Sequence, residues 1–277
     1  MKKLIVTADD FGAALQVNDA VEQGHRDGIL TAASLMVSAP AAADAVARAK
    51  TNPRLRVGLH VVLVEGKPTL PAASVPDLVD ASGNFRTDMA RSAANMFFFP
   101  KVRHQLEAEI EAQFDAFRAT GLNLDHVNTH KHFHLHPTIA STILRVGKRH
   151  GLRAIRVPLE PQDVLRRAEP GGKLPSALAT APWANLSRAR LRAAGLRVPD
   201  QVFGLAWSGA MTPARLLGLI ENLPDGLSEI YLHPATGPYP GSAPGYRYTE
   251  ELAALIAPRV VEASRNSAIS KGGFADF

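Results

Sequence analysis

Short runs of apolar, often β-branched residues alternate with longer amphipathic stretches along nearly the whole sequence of 277 residues. Most of the short runs are too apolar for a sheet with one face in water, which favours a parallel sheet covered on both faces. Strands joined by helices form βαβ units, and seven strands at this spacing favour barrel-like closure over an open sheet. The sequence therefore predicts an α/β fold, a single-domain (βα) barrel-like structure with about seven parallel strands.

The predicted strands cover residues 4–8, 33–37, 56–63, 126–130, 154–157, 201–207 and 229–233. The predicted helices cover residues 17–28, 40–51, 101–120, 137–150, 213–223 and 249–267. Two segments, residues 67–100 and 158–199, interrupt this alternation. We interpret them as insertions in one domain that spans residues 1–277. Long excursions of this kind are often lids or binding loops, and a peripheral packing or dimer element is an equal alternative.

Composition excludes several classes of protein. The sequence contains no cysteine, so a disulfide scaffold, a thiolate metal site and a cysteine nucleophile are excluded, and any metal must be held by nitrogen and oxygen. The longest nearly apolar stretch, residues 32–43, is too short to span a bilayer, and the amino terminus lacks the apolar core of a secretory signal. We therefore expect a cytoplasmic protein.

The charge balance is moderately basic. There are 31 Lys and Arg residues against 26 Asp and Glu residues, which gives a net charge of +5. Such a balance suits an anionic partner, but the basic residues are spread along helical segments and no run of five like charges occurs. An aromatic and basic signature of RNA binding is also absent. We predict no nucleic-acid partner.

Polar residues stand within or at the carboxyl ends of the predicted strands, the edge where parallel βα architectures gather their functional residues. Unpaired polar groups at a buried strand end are costly, so these residues require a function or partners. They are Asp9, Asp10, His60, His130, Arg156 and His233.

Asp10, His60 and His130 offer one carboxylate and two imidazoles, the number of protein ligands that a catalytic zinc-type site uses while leaving positions open. Five of the ten histidines fall within residues 126–136, and they cannot all bind one ion. We therefore assign only His130 of this group as a ligand. The other candidates, for orienting the ligands or binding substrate, are His126, His132 and His134.

This donor set favours Zn²⁺ and tolerates Co²⁺ or Mn²⁺, whereas Mg²⁺ is less suited to imidazole. Competing signatures are absent: no Gly-x-Gly fingerprint, phosphate loop or Gly-x-Ser-x-Gly elbow occurs. For Asp9 and Asp10, a cap or turn is the ordinary alternative. A hydrolase with one divalent metal ion is the leading interpretation, and another metal-dependent barrel amidase or isomerase is the runner-up.

Four blocks of sequence resemble, in order and across nearly the whole chain, the YdjC-like carbohydrate deacetylases, which include chitooligosaccharide deacetylases. They are TADDFG at residues 7–12, GLH at 58–60, DHVNTHKHFH at 125–134 and YLHP at 231–234. The NTHKH sequence and the MFFF segment at residues 96–99 are further similar to the branch associated with hopanoid biosynthesis.

The resemblance implies a divalent-metal hydrolase on a barrel-like βα fold that removes the acetyl group from an N-acetylated sugar. Carried over to this sequence, the metal ligands are Asp10, His60 and His130, and the catalytic residues are Asp9 as general base, Arg156 as the residue that orients it, and His233 as the histidine of the carboxyl-terminal motif. Amide hydrolysis also needs a group that protonates the departing nitrogen, a role that suits His233.

The sequence departs from the family at one block. The family commonly has Asp-Ser-His-His-His where this chain has residues 128–132, so Asn128 and Lys131 replace an acid and a histidine. This difference concerns the surroundings of the ion rather than the ligand His130. It also leaves open a carbohydrate- or lipid-binding barrel that lacks turnover.

The hopanoid resemblance implies an N-acetylglucosamine-type sugar carried on a hopanoid lipid, and therefore an apolar wall beside a polar site. We expect the substrate-binding residues to be His132, His134, Phe97 and Phe98. Residues 174–196, which are rich in arginine, are a second candidate for the wall and for peripheral contact with anionic lipid at the inner face of the membrane. The alternative is that both segments pack into the core or into a homodimer.

Overall fold

The computed structural model describes residues 1–172 and 181–277. The strands in these residues are β1 (Lys2–Phe11), β2 (Ala32–Leu35), β3 (Arg56–Val61), β4 (Val127–Thr129), β5 (Gln201–Phe203), β6 (Gly226–Leu232) and β7 (Ile269–Lys271). They form one parallel sheet in the order β4-β3-β2-β1-β6-β5, and β7 pairs with the first residues of β1. The sheet curls into a half-barrel flanked by helices, so the predicted α/β fold with parallel strands is confirmed.

Helices cover the outside of this sheet. In the described residues they are α1 (Leu15–Arg26), α2 (Ala42–Thr51), α3 (Met89–Phe98), α4 (Pro100–Ala119), α5 (Pro137–Arg149), α6 (Gln162–Ala168), α7 (Ala181–Ala193), α8 (Pro213–Glu221), α9 (Tyr248–Ile256) and α10 (Pro258–Ala263). A proline occupies the first turn of α4, α5, α8 and α10, where its missing N–H costs no hydrogen bond. None of the described helices has the length and apolar character needed to cross a membrane.

The strand β1 lies in the interior of the sheet, between β2 and β6, and its burial reflects this position. Every residue of β1 from Leu4 to Phe11 is buried, which is the pattern of a strand covered on both faces. The first predicted insertion contains α3, and its Val75, Phe85 and Met96 pack into the main hydrophobic core. The second predicted insertion contains α6 and α7, and its residues 173–180 lie outside the described residues.

Two predicted elements differ from the structure, and the strand β7 was not among the predicted elements. The predicted helix at residues 249–267 is two helices, because Pro258 has no N–H to continue α9. Residues 154–157 do not form an assigned strand, and within the described residues their strand contacts are single bridges from Ala154 and Ile155. The strand β7 could not be recognised in the sequence, because it has only three residues, one half-buried and two exposed, which is too few to show an alternating pattern.

Backbone and side-chain hydrogen bonds join the segment that follows residues 154–157 to β5 and to the loop after it. The Val202 N–H donates to the Leu159 carbonyl at 2.8 Å. The Glu160 carboxylate accepts from the N–H groups of Gly204, Leu205 and Ala206, which begin the loop after β5. Burial raises the pKa of Glu160, while these three N–H groups lower it in part. The carboxylate therefore fixes the loop at the end of β5.

One glycine of β3 allows the strands to approach each other inside the barrel. A Cβ built on Gly58 would lie 2.5 Å from both the carbonyl oxygen and the ring Cε1 of His126. We expect Gly58→Ala to lower the free energy of unfolding by about 1–3 kcal/mol, because the backbone of β4 must move. Chemical denaturation measures this change. Gly237→Ala, where a Cβ meets no described atom within 4 Å, is the matched control and should be nearly neutral.

Candidate functional site

A bulge at the end of β1 brings two adjacent carboxylates into one cavity. In the pairing of β1 with β2, Ala8 lies beside Ala33 and Phe11 beside Leu35, so β1 has one extra residue in this interval. Asp10 takes up the extra residue with a φ of 62°, in the left-handed region that non-glycine residues seldom adopt. Neighbouring side chains of a regular strand point to opposite faces, but here both Asp9 and Asp10 line the cavity.

Asp10 meets two histidines from neighbouring strands. Its Oδ1 lies 3.2 Å from Nε2 of His60, at the end of β3, and 3.2 Å from Nδ1 of His130, which follows β4. A tetrahedral zinc ion with ligands at 2.0–2.1 Å places the ligand atoms roughly 3.3 Å apart, so the spacing fits such an ion. The buried Nε2 of His60 has no hydrogen-bond partner among the described residues, which leaves a ring nitrogen directed at the gap.

Burial alone lowers the pKa of His130, but the charge of Asp10 and the neighbouring Glu65 outweigh burial and raise it to about 9. The pKa of Glu65 falls to about 2, chiefly because of His130, whose Nε2 lies 3.7 Å from Oε2, with a further contribution from Lys131. Glu65 and Lys131 form an ion pair at the rim of the cavity. The ammonium group of Lys131 is thus held by Glu65.

Asp9 belongs to a buried ion network rather than to the metal-ligand group. Its two oxygens accept hydrogen bonds from Arg156 at 2.5 and 3.0 Å, and Arg156 also donates to Glu229 of β6 at 2.6 Å. Burial alone would raise the pKa of Asp9, but Arg156 outweighs it, so the pKa lies well below the ordinary value. Asp9 is therefore a fixed carboxylate beside the gap.

The histidines after β4 separate into two groups. His132 lines the cavity, and its Nε2 lies 2.8 Å from the hydroxyl of Tyr231, whose ring stacks under Arg156. His134 is buried against Thr129, at 2.7 Å, and is not among the described lining residues. Burial, together with the charge of Arg156, lowers the pKa of His134 to about 4.

His233 and three tyrosines form the opposite wall. The N–H of His233 donates to Glu251 at 2.5 Å, which fixes the end of β6, and its ring packs against Tyr246 with centroids 5.3 Å apart. Tyr239 and Tyr248 continue this wall, and the cavity has a volume of about 290 Å³. The tyrosines were missed in the sequence, although their position just after β6 places them at the expected rim of the barrel.

Phe97 and Phe98 lie outside the cavity wall that the described residues form. They are 48% and 69% exposed at the end of α3. The Phe97 ring packs edge-on against His136, directly after the turn that carries His130 and His132. These phenylalanines therefore adjoin the site without lining it.

A second group of potential ligands lies on the helices. Glu111 and Asp115 of α4 face His150, which follows α5. Arg149 and His150 both pair with Glu111, so its carboxylate already has positive partners. Asp10, His60 and His130 are therefore the better group of described residues for an ion.

Residues 3–266 match the YdjC-like protein family. This chain belongs to that family. A carbohydrate deacetylase of Geobacillus stearothermophilus is 32% identical over 262 residues, which are 93% of this chain and 90% of that protein. A carbohydrate deacetylase of Brevibacillus brevis is 38% identical over 157 residues, and the chain spans only 58% of that relative's length.

A protein of known structure supports the same fold. It is a proposed cellobiose-phosphate cleavage protein of Enterococcus faecalis V583, with a TM-score of 0.77 and 23% identity. The match covers 99% of this chain and 98% of that one. At this identity the likeness concerns the fold alone.

We expect one divalent ion per chain at Asp10, His60 and His130. His130→Ala should weaken Zn²⁺ binding by more than about 100-fold, because losing a ligand exceeds the 10–100-fold cost of losing an outer partner. Elemental analysis after dialysis and a competition titration with a chelator measure occupancy and affinity. Asp115→Ala is the control and should keep the ion. Full occupancy in His130→Ala, or loss of the ion in Asp115→Ala, contradicts the assignment.

Proposed function

We propose that this protein is a metal-dependent hydrolase that removes the N-acetyl group from an N-acetylglucosamine-type sugar, giving a free amine and acetate. The observation that carries the proposal is the placement of Asp9 beside the group of Asp10, His60 and His130 in one small cavity. The carbohydrate deacetylase of Geobacillus stearothermophilus, similar over 93% of this chain, supports the substrate class.

The three ligands suit Zn²⁺, with Co²⁺, Mn²⁺ and Mg²⁺ as alternatives. When bound, such an ion polarises the acetamide carbonyl and makes a water molecule more acidic. The open rim between Glu65 and the tyrosine wall leaves room for the acetamide group beside the ligands. The cavity volume of about 290 Å³ is near the lower end of the range for ligand-binding cavities. One sugar ring with its acetamide group would therefore fill it.

Asp9 takes the proton of the attacking water. Asn128 and Arg156 both donate to its Oδ1, whereas among the described residues Oδ2 accepts only from Arg156 and keeps a second lone pair available. Because the base is already held in a fixed direction, less entropy is lost in orienting it for the reaction. Arg156 itself stays hydrogen-bonded to Glu229 and acts through Asp9, so we assign it as a positioning residue.

His233 donates a proton to the departing nitrogen. It lines the cavity on the wall that faces Asp9 and Asp10, and its buried Nδ1 has no partner in the described part of the chain. The tyrosines beside it offer apolar ring faces and hydroxyls, which suit the two faces of a sugar ring. We place His132 as a substrate-binding residue, while His134 lies behind the wall and supports Thr129.

Asp9→Asn tests the chemistry. The amide keeps the shape of the carboxylate but cannot take a proton, so kcat for acetate release from N-acetylglucosamine oligomers should fall about 10²–10⁴-fold. Zn²⁺ affinity should stay within a few-fold of wild type, because Asp9 is not in the ligand group. Thr142→Val, a buried change on α5, is the control and should keep both properties. Near-normal kcat in Asp9→Asn would assign the base elsewhere, and absence of acetate release by the wild type would leave a binding protein.

We further propose that the sugar is carried on a hopanoid lipid and that the protein contacts a membrane surface peripherally, at its cytoplasmic face. Phe97, Phe98 and Phe99 are exposed at the end of α3, and Trp183 and Leu186 are exposed on α7. Trp183 donates to the carbonyl of Leu135, at the end of the histidine turn, and Phe97 packs on the next residue. Both apolar groups thus adjoin the turn that lines the cavity.

A lipid-linked substrate distinguishes this proposal from a general sugar deacetylase. Phe98→Ser should lower kcat/KM about tenfold for a lipid-linked N-acetylglucosamine and leave the free oligomers unchanged, because remote binding energy acts only on the former. The free oligomers are the internal control for folding. Equal loss on both substrates, or a homodimer in sedimentation that Phe98→Ser dissociates, contradicts the lipid role.

A further inference from the structure

A continuous line of buried hydrogen bonds runs from the carboxyl-terminal turn through the barrel to the candidate metal site. It begins where Asp125 accepts the N–H groups of Phe274 and Ala275 at 3.0 and 2.8 Å. Each link is between 2.6 and 3.1 Å, and each side chain is at most 5% exposed. The line passes in order through Asp125, His126, Ser34 and Asn128, and Asn128 contacts both Asp9 and His60.

The direction of the first links follows from Asp125. Its carboxylate accepts two backbone N–H groups and Nδ1 of His126 at 2.9 Å, and these donors hold the pKa of Asp125 below its usual value despite burial. An ionised carboxylate is only an acceptor, so His126 Nδ1 carries the proton. His126 Nε2 then accepts from the hydroxyl of Ser34 at 3.0 Å. The single proton of Ser34 is thereby used.

The direction of the next links follows from Ser34. Because its hydroxyl donates to His126, its oxygen accepts from Nδ2 of Asn128 at 2.8 Å. The second hydrogen of Nδ2 points to Asp9 Oδ1 at 3.1 Å. Turning the amide round would place its oxygen against the Asp9 carboxylate and leave Ser34 without a donor. Asn128 Oδ1 therefore faces Nδ1 of His60, 2.6 Å away, and accepts its proton.

We infer that Asn128 is a positioning residue that keeps His60 with its proton on Nδ1 and its Nε2 lone pair directed at the gap beside Asp10 and His130. The line of hydrogen bonds from Asp125 fixes the direction of the Asn128 amide. The inference rests on the metal site of the proposed function, and it concerns ligand geometry rather than the reaction that follows.

Asparagine is the residue that fits all three partners at this position. An aspartate has no N–H, so it would leave Ser34 without a donor and place a second negative charge beside Asp9. Register brings the partners together, since Asn128 pairs directly with His60 across β4 and β3. Asn128 thus matches the acceptors on Ser34 and Asp9 and the donor on His60.

Nitrogen-15 NMR of the full-length protein tests the direction of the bonds. In the Zn²⁺-loaded wild type, His60 should carry its proton on Nδ1 and bind the ion through Nε2. Asn128→Leu, which has a similar size but no hydrogen bonds, should lower Zn²⁺ affinity about 10–100-fold. A proton on His60 Nε2 in the Zn²⁺-loaded wild type, or unchanged affinity in a folded Asn128→Leu variant, overturns the inference.

If Asn128→Leu does not fold, Ser34→Ala tests whether the line of hydrogen bonds affects Zn²⁺ binding by His60. It removes one hydroxyl two links from His60, and we expect a roughly three- to tenfold loss of Zn²⁺ affinity. Ser228→Ala, at an equally buried serine of β6 outside the line, is the matched control and should leave affinity unchanged. Equal affinity for Ser34→Ala and Ser228→Ala contradicts the inference. A folded Ser34→Ala variant with wild-type zinc affinity does so whether or not the protein releases acetate.

Discussion

The buried ion network of Asp9, Arg156 and Glu229 is the interaction on which the rest of the site depends. Arg156 is fully buried and is hydrogen-bonded to both carboxylates. Burying charges costs several kcal/mol per ion, and removing one partner of such a pair typically costs about 3–5 kcal/mol, because the other is left uncompensated. The network joins β1, β6 and residues 154–157. It therefore fixes the direction of Asp9 and connects the centre of the sheet to residues 154–157. Residues 154–157 have few ladder hydrogen bonds of their own, and the guanidinium supplies part of the missing connection.

Local backbone strain gathers around this network. Asp10, Glu65, Lys131 and His132 all have positive φ values, and all four line the same cavity. Such conformations cost free energy and persist only where the surrounding contacts determine them. At Asp10 the strain places a second carboxylate on the face that the first already occupies. At Lys131 and His132 it turns the chain sharply after β4, so that His130 and His132 line the cavity while His134 packs behind it.

Much of the fold could be predicted from the sequence because it rests on periodicity. The alternation of apolar runs with amphipathic helices gave the parallel sheet, and prolines gave the starts of α5 and α8. The gathering of Asp9, Asp10, His60 and His130 at one edge followed from the rule that parallel strands end together. Glu65 could not be predicted, because it lies in a loop after β3 that has no hydrophobic period. The tyrosines after β6 stand where the rim is expected, but only the tertiary contacts show that they form the wall. The strand β7 was missed for a related reason: its pairing with β1 depends on a distant part of the chain.

The sequence by itself determined which residue types reach the carboxyl edge of the sheet, because strand period and chain order decide which side chains stand there. It also determined the donor chemistry, since a chain without cysteine offers an ion only nitrogen and oxygen. Only the tertiary structure decided which partner each of those residues contacts and in which direction its side chain is held. The bulge at Asp10, the pairing of Arg156 with Asp9 and the direction of the Asn128 amide each depend on contacts between residues far apart in sequence. A hydrogen bond or ion pair of this kind has no local pattern, because its partners are brought together only when the half-barrel closes around them.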